Sequence, residues 1–113
     1  MSGRLEIQSK HSAASGMIFY MKENDLEVAR AYLYVLQNTL HKRPFGLIED
    51  VFVSEQVRGT GIGTCLVTRI IEEAKKRNCY KLICTSRHEN ERVHSLYKKM
   101  GFTDHGLEFR MNF

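Results

Sequence analysis

Three glycines at alternate positions are the residues of this chain best suited to binding a charged group. Gly59, Gly61 and Gly63 follow Arg58 and stand at the start of a run with helical spacing of apolar residues. Glycines let backbone N–H groups approach a ligand without a Cβ atom in the way, and a helix start adds unpaired donors and a positive dipole end. Segment 58–64 therefore predicts a binding site for a phosphate-bearing ligand.

Two common phosphate-binding motifs do not fit this loop. No Gly-Lys-Ser/Thr follows it, which excludes a nucleoside-triphosphate P-loop. Thr64 stands where a dinucleotide fingerprint needs its third glycine. Taken alone, the glycines could also form a tight strand-to-helix turn that binds nothing.

Two adjacent carboxylates, Glu49 and Asp50, interrupt the apolar run 46–53. An unpaired carboxylate is costly to bury, so we expect both to line a polar cavity. Successive strand residues face opposite sides, so at most one should point at a reacting group. Glu49 is preferred as a general base or amine anchor, and Asp50 is the alternative. Either could instead pair with an arginine such as Arg30 on a neighbouring strand.

The elements that position these residues follow from the periodicity of the chain. Alternation and β-branched content predict strands over residues 4–10, 17–22, 26–36, 46–53, 80–86 and 107–113. Helical spacing predicts helices over 61–77 and 90–100, and a turn over 12–16 separates the first two strands. The order predicts an α/β protein with a mixed antiparallel and parallel sheet, a βαβ crossover and two main helices.

Two motifs in this order resemble the GCN5-related N-acetyltransferase (GNAT) superfamily. The first is Arg58-x-x-Gly61-x-Gly63, and the second runs from Asn90 through Tyr97 to Gly101-Phe102. The resemblance covers about residues 26–113. It implies the acyl-CoA N-acyltransferase fold, acetyl-CoA as cosubstrate and transfer of the acetyl group to a primary amine by direct attack. A non-catalytic coenzyme A-binding regulatory module of the same fold is the alternative.

The resemblance also implies roles for individual residues. The strand before the loop would contact the pantetheine and the acetyl carbonyl through its backbone, the loop would hold the pyrophosphate, and Tyr97 would protonate the leaving thiolate. The implied acetyl-CoA-binding residues are Val51, Phe52, Val53, Arg58, Gly59, Thr60, Gly61, Ile62, Gly63, Thr64, Asn90 and Tyr97. The backbone N–H of Val53 could polarise the acetyl oxygen if its strand separates from segment 80–86. Without the motif, Tyr97 would be interpreted as a core aromatic on an apolar stripe.

The acceptor stays open between a small-molecule amine and a peptide amine. The pattern 48–53 resembles that of diamine and glucosamine-6-phosphate acetyltransferases, whose acceptor sites use this strand. Segment 85–89 lacks the acidic residues that the glucosamine-phosphate branch would imply. Two carboxylates suit a cationic acceptor, whereas an anionic acceptor would suit the basic residues His41, Lys42, Arg43, Arg87 and His88.

Length and composition limit the remaining possibilities. The 113 residues predict a single N-acetyltransferase domain, 1–113, with no separate substrate domain. The net charge of +4 comes from dispersed basic residues, and the aromatics are in phase with core positions, so no nucleic-acid partner is expected. No run is long enough for a membrane span and no leader is recognisable, so a cytoplasmic location is expected.

Cysteine spacing and the short first turn complete the predictions. Cys65, Cys79 and Cys84 have no C-x-x-C spacing, so we expect reduced, half-buried thiols, and no metal site. The superfamily usually has two helices between its first two strands. In this sequence only the predicted turn 12–16 separates them. One sheet face would then be poorly covered, which predicts a homodimer that completes the acceptor pocket.

Overall fold

The computed structural model describes residues 5–113, which form one four-stranded sheet with two α-helices. The elements in chain order are β1 Ala14–Glu23, β2 Leu26–Leu36, β3 Phe45–Val53, a 3₁₀ turn Glu55–Val57, α1 Ile62–Lys76, β4 Leu82–Cys84 and α2 Glu91–Lys99. The strand order is β1-β2-β3-β4. Strands β1, β2 and β3 pair antiparallel, and β3 pairs parallel with β4 after α1. The predicted mixed sheet with a βαβ crossover is confirmed.

The hairpin of β1 and β2 is closed by a two-residue turn. Asn24 and Asp25 both adopt positive φ angles, 50° and 65°, and connect the paired residues Glu23 and Leu26. Asn and Asp tolerate this conformation better than other non-glycine residues, and the resulting twist matches that of the strands. The strands predicted over 17–22 and 26–36 are therefore present, and they form an antiparallel hairpin.

The core lies between one face of the sheet and α1. Alternate residues of β2 point at the helix, whose apolar stripe recurs every three or four positions. The buried cluster contains Ala29, Ala31, Leu33, Ile48, Leu66, Val67, Ile70 and Tyr97. Gly46 permits the close approach of the strands here, because a Cβ atom on it would lie 2.8 Å from the Leu82 side chain.

The opposite face of the sheet is largely uncovered. Ile18 pairs with Tyr32 across β1 and β2, so the two side chains share this face, and Tyr20 and Tyr34 lie on it as well. Ile18, Tyr20 and Tyr34 are all exposed. The predicted poor coverage of one face is present in the described part of the chain.

Five of the local predictions were wrong. Residues 5–10 are irregular and exposed where a strand was predicted, and position 4 of that prediction lies outside the described residues. Residues 14–16 belong to β1 and not to a turn, and β4 covers only Leu82–Cys84 of the predicted 80–86. Segment 107–113 forms no strand. Cys65 is exposed and not half-buried.

The two failed strand predictions share a cause. Alternation makes a segment fit for a sheet, but a strand forms only where another strand offers its hydrogen-bonding edge. Segment 107–113 alternates correctly, yet its apolar side chains are exposed: Leu107, Phe109, Met111 and Phe113. Local periodicity carries no information about the missing partner.

Candidate active site

The cleft opens where two parallel strands separate. β4 pairs with β3 only from Gly46 to Ile48, whereas β3 continues to Val53. On the β4 side, residues 49–53 therefore have no neighbouring strand within the described chain. A cleft of about 610 Å³ lies there, between the end of β3 and the starts of α1 and α2. The backbone N–H of Val53 was expected to be available to the acetyl oxygen only if β3 separates from segment 80–86. That separation is present.

A β-bulge shapes the floor of this cleft. Arg30 pairs with Phe52 and Tyr32 pairs with Glu49, so Ala31 stands opposite both Asp50 and Val51. Asp50 has a φ of 52°, in the left-handed region. Both Glu49 and Asp50 line the cleft. The prediction that only one carboxylate faces the site assumed a regular alternation, which the bulge interrupts.

The two carboxylates have different surroundings. Asp50 Oδ2 accepts a hydrogen bond of 3.1 Å from Arg30 Nε. Arg30 also donates from Nη1 to Glu27 Oε2 at 3.2 Å, and its guanidinium lies 4.8 Å from the centre of the Phe52 ring. Glu49 is exposed and forms no ion pair with any residue from 5 to 113. The arginine pairing considered for either carboxylate thus occurs at Asp50.

The loop after β3 is held in place by its own arginine. Arg58 Nε donates to the carbonyl oxygen of Val53 at 3.0 Å, which ties the loop to the end of the strand. Gly59 and Gly61 have φ angles of 81° and 87°, a conformation that side chains disfavour. A Cβ atom at either position would meet no atom within 4 Å. Glycine is therefore required here by backbone conformation and not by crowding.

Thr60 is the one predicted loop residue that does not line the cleft. Its hydroxyl donates to the carbonyl oxygen of Val57 inside the turn. The structure therefore places its side chain in loop closure, away from the cleft wall. All the other predicted site residues line the cleft, which brings them together: Glu49, Asp50, Val51, Phe52, Val53, Arg58, Gly59, Gly61, Ile62, Gly63, Thr64, Asn90 and Tyr97.

The start of α1 carries free hydrogen-bond donors. Gly61 is its N-cap, and within residues 5–113 no side chain caps the helix and no acidic residue occupies its first turn. The N–H groups of Ile62, Gly63 and Thr64 have no acceptor one turn earlier in the helix. All three residues line the cleft. The positive end of the α1 dipole is thus directed at the cleft, and no acidic residue in the helix's own first turn balances it.

Gly63 differs from the two glycines before it. A Cβ atom there would lie 3.7 Å from the side chains of Leu96 and Val53, which is an ordinary packing distance. Its φ angle is not positive. The protein itself therefore does not require glycine at this position.

The second helix, α2, forms the other wall of the cleft. Unlike α1, it has a side-chain cap at its N-terminus. Asn90 Oδ1 accepts from the Val93 N–H at 3.4 Å, and Glu91 lies in the first turn. Tyr97 lines the cleft with only 8% of its surface exposed, and its ring lies 5.5 Å from that of Phe102. Tyr97 therefore belongs both to the core cluster and to the cleft wall.

Burial controls the titration of the groups beside Tyr97. Removal from water disfavours the charged form, and it raises the pKa of Tyr97 to about 12, with a further contribution from Cys84. The same cause raises the pKa of Cys84 to about 11. Both groups therefore keep their protons at neutral pH.

Several cleft residues were not singled out from the sequence. Val57, Thr85, Ser86, Arg92, Val93 and Leu96 also line it, as does Arg87, which the sequence indicated only as a basic residue. The one signal for them was helical spacing, because Val93 and Leu96 lie on the same stripe as Tyr97. The loop residues after β4 enter the site because β4 ends early, which the sequence did not show.

The described part of the chain contains neither a metal-binding cluster nor a membrane-spanning helix. Residues 5–113 contain no cluster of three or more His, Cys, Asp or Glu side chains arranged to hold a metal ion. Neither α-helix described is long and apolar enough to span a bilayer.

Comparison with known proteins gives one consistent result. The acetyltransferase (GNAT) family matches residues 3–102. A glucosamine 6-phosphate N-acetyltransferase of Trypanosoma brucei brucei is 36% identical over 70 residues, which are 62% of this chain and 46% of that protein. One of Candida albicans is 33% identical over 87 residues, 76% of this chain and 56% of that protein. This chain thus spans about half the length of these curated relatives.

A solved structure extends the match to three dimensions. A putative acetyltransferase from Agrobacterium tumefaciens superimposes with a TM-score of 0.80 at 33% identity, over 87% of this chain and 69% of that one. The similarity of fold therefore includes nearly the whole described chain.

Proposed function

This chain belongs to the acetyltransferase (GNAT) family, and from that premise we propose that it transfers the acetyl group of acetyl-CoA to a primary amine by direct attack. One observation carries the proposal: a single cleft joins the uncapped start of α1 to the hydroxyl-bearing side chain of Tyr97. The first can bind an anion and the second can donate a proton. The proposed enzymatic function requires that the start of α1 and Tyr97 act on the same bound ligand.

The loop and α1 bind the pyrophosphate of acetyl-CoA in this proposal. The free N–H groups at the helix start and the positive dipole end favour negative charge there. Arg58 adds a cation beside the same cleft. The end of β3, residues 51–53, runs along the cleft with no neighbouring strand on the β4 side, which suits the pantetheine and the acetyl carbonyl.

The reaction needs a neutral amine and a protonated leaving group. Acetyl-CoA supplies the thioester whose carbonyl carbon the amine attacks. A cleft carboxylate accepts the proton of the amine, and Tyr97 donates its proton to the departing thiolate. The raised pKa of Tyr97, about 12, means that its proton is present throughout the physiological range.

Direct attack is favoured over an acyl-cysteine intermediate. Cys84, which interacts with Tyr97, is the thiol best placed to compete. Its pKa of about 11, raised by burial, leaves the thiol protonated, and a thiol attacks far more slowly than a thiolate. A Cys84→Ser variant should therefore keep its turnover.

We propose a phosphorylated amino sugar as the first acceptor to test. The relatives from Trypanosoma and Candida are named for glucosamine 6-phosphate. Arg87 and Arg92 line the cleft and can pair with a phosphate. Polyamines, amino acids and peptides complete the panel, because Glu49 and Asp50 would suit a cationic amine.

The predicted homodimer remains part of the proposal. The uncovered sheet face exposes Ile18, Tyr20 and Tyr34, and segment 107–113 exposes four further apolar side chains. A second copy that covers this face would wall the acceptor side of the cleft. Light scattering at micromolar concentration should give the mass of two chains, and the mass of one chain would contradict it.

The function is tested by following thiol release from acetyl-CoA across the amine panel, alongside calorimetry with coenzyme A. We expect binding and turnover with at least one amine, and Tyr97→Phe should bind normally but turn over about 100-fold more slowly. Binding without turnover on any amine would favour the regulatory module instead. If neither coenzyme A nor acetyl-CoA binds, both the enzymatic function and the regulatory module are contradicted.

A further inference from the structure

The bulge in β3 is stabilised by one side chain from the neighbouring strand. Arg30 contacts one residue of the bulge and the residue that follows it, with a 3.1 Å hydrogen bond to Asp50 and its guanidinium 4.8 Å from the Phe52 ring centre. Glu27 fixes the other side of the guanidinium at 3.2 Å. The planar fork of arginine allows these three contacts at once.

This arrangement distinguishes the two carboxylates of the cleft. Asp50 occupies a left-handed conformation that costs roughly 1–3 kcal/mol for a residue with a side chain. Its carboxylate is held by Arg30, and the hydrogen bond offsets part of that cost. Glu49 stands one residue earlier, lines the same cleft, and has no cationic partner in the described chain.

We propose that Arg30 and Asp50 are positioning residues that set the bulge and thereby the geometry of the cleft floor. The inference rests on the proposed acetyl transfer. Through the bulge, the Arg30–Asp50 pair fixes the direction of Phe52 and Val53, whose backbone forms the cleft floor.

Isosteric replacements separate the two carboxylates. Glu49→Gln removes the charge that the amine needs, so kcat should fall about 100-fold. Asp50→Asn keeps an oxygen that can accept from Arg30 Nε, so kcat should stay within about threefold of the native value. A loss with Asp50→Asn equal to or larger than that with Glu49→Gln would overturn the positioning role of Asp50.

The positioning role of Arg30 is tested by how its effects divide between kinetic constants. Arg30→Met should lower kcat about tenfold to a hundredfold and change the Kd of coenzyme A much less, because the loop and α1, which bind the pyrophosphate in this proposal, are untouched. Arg30→Lys should restore part of the loss. The double variant Arg30→Met/Asp50→Ala should be no slower than the slower single variant.

Arg69 provides a matched control. It also pairs with a carboxylate, Glu73 at 3.2 Å, and lies 5.2 Å from the ring centre of Phe19, but it does not line the cleft. Arg69→Met removes the same kinds of contact and should leave kcat unchanged. An equal loss of kcat in Arg69→Met and Arg30→Met would mean that general destabilisation explains both, and the inference would fail.

A failure of the proposed function can be recognised separately. If the native protein acetylates no amine, the urea midpoints of the native protein, Arg30→Met, Asp50→Ala and the double variant still test the pair. A double-variant loss smaller than the sum of the single losses supports the pairing that sets the bulge. Additive losses overturn it.

Discussion

The two helices of this protein begin in contrasting ways, although both begin at the same cleft. α2 is completed by its own side chains, with Asn90 accepting from the Val93 N–H and Glu91 placed at the positive dipole end. α1 begins at a left-handed glycine with no capping side chain and no acid in its first turn, as far as residues 5–113 show. A helix start left in this state is less stable alone and better able to bind an external anion.

The largest effect should come from the glycine at the α1 start. Gly61→Ala forces a side chain into a φ of 87° and should cost about 1–2 kcal/mol of unfolding free energy. The added methyl also enters the cleft, so coenzyme A affinity should fall at least about tenfold, equivalent to about 1.4 kcal/mol. Urea titration and calorimetry measure the two effects.

Gly101 supplies the control for that change. Its φ is 103°, a Cβ atom there would also meet nothing within 4 Å, and it does not line the cleft. Gly101→Ala should lose similar stability and keep its affinity for coenzyme A. Equal losses of affinity in the two variants would show that strain, and not the cleft, was responsible.

An acidic residue in the first turn of α1, like Glu91 in α2, should make the start of α1 more stable and less able to bind an external anion. Thr64→Glu places a negative charge in the first turn and should stabilise the unliganded protein by about 0.3–1 kcal/mol. The same charge repels a pyrophosphate, so coenzyme A should bind about tenfold more weakly. Thr64→Gln, which has the same shape without the charge, should show neither effect. A stable Thr64→Glu variant with native affinity would mean that the anion binds elsewhere.

Removing the cap of α2 should lower stability by a smaller amount. Asn90→Ala loses the acceptor for the Val93 N–H and should cost about 1 kcal/mol of unfolding free energy. Asn90→Asp keeps a capping oxygen and should retain stability, while both variants lose the side-chain amide donor. If Asn90 contacts the cofactor through that amide, both should bind coenzyme A more weakly. A loss of affinity in Asn90→Ala alone would instead assign the effect to the cap.

The last effect concerns Cys84 on β4 and Tyr97 on α2, at high pH. The folded protein holds the protons of Cys84 and Tyr97 to about pH 11 and about pH 12, whereas their ordinary pKa values are 9.0 and 10.0. The unfolded chain releases these protons first, so the free energy of unfolding should fall as the pH rises above 9. Denaturation at pH 8, 9 and 10 should show the decline, and it should be shallower in Tyr97→Phe and Cys84→Ser. Equal slopes in all three proteins would contradict the raised pKa values.

The sequence predicted well those features that depend on local pattern. The bounds of β2 were predicted as 26–36 and are Leu26–Leu36, and both helices lie within one residue of the predicted ends, because their spacing and end residues specify them locally. The glycine loop was located in the same way, since Gly59 and Gly61 occupy positions where only the glycine backbone is unstrained.

Features that depend on distant partners could not be predicted. The bulge at Asp50 requires Arg30 from another strand, and alternation alone gives β3 a regular face. The strand predicted over 107–113 failed because no edge meets it. The assignment of residues to catalysis, the single domain over 1–113 and the cytoplasmic location stay predictions.

Gly63 offers a way to redesign the cleft without disturbing its frame. Because an added methyl there would meet Leu96 and Val53 at ordinary contact distance, the wall beside the α1 donors can be thickened by one carbon with no backbone strain. Under the proposed function, Gly63→Ala would narrow the part of the cleft that holds the pyrophosphate. The substitution would leave the turns at Gly59 and Gly61 intact, because only those two glycines of the loop have positive φ angles.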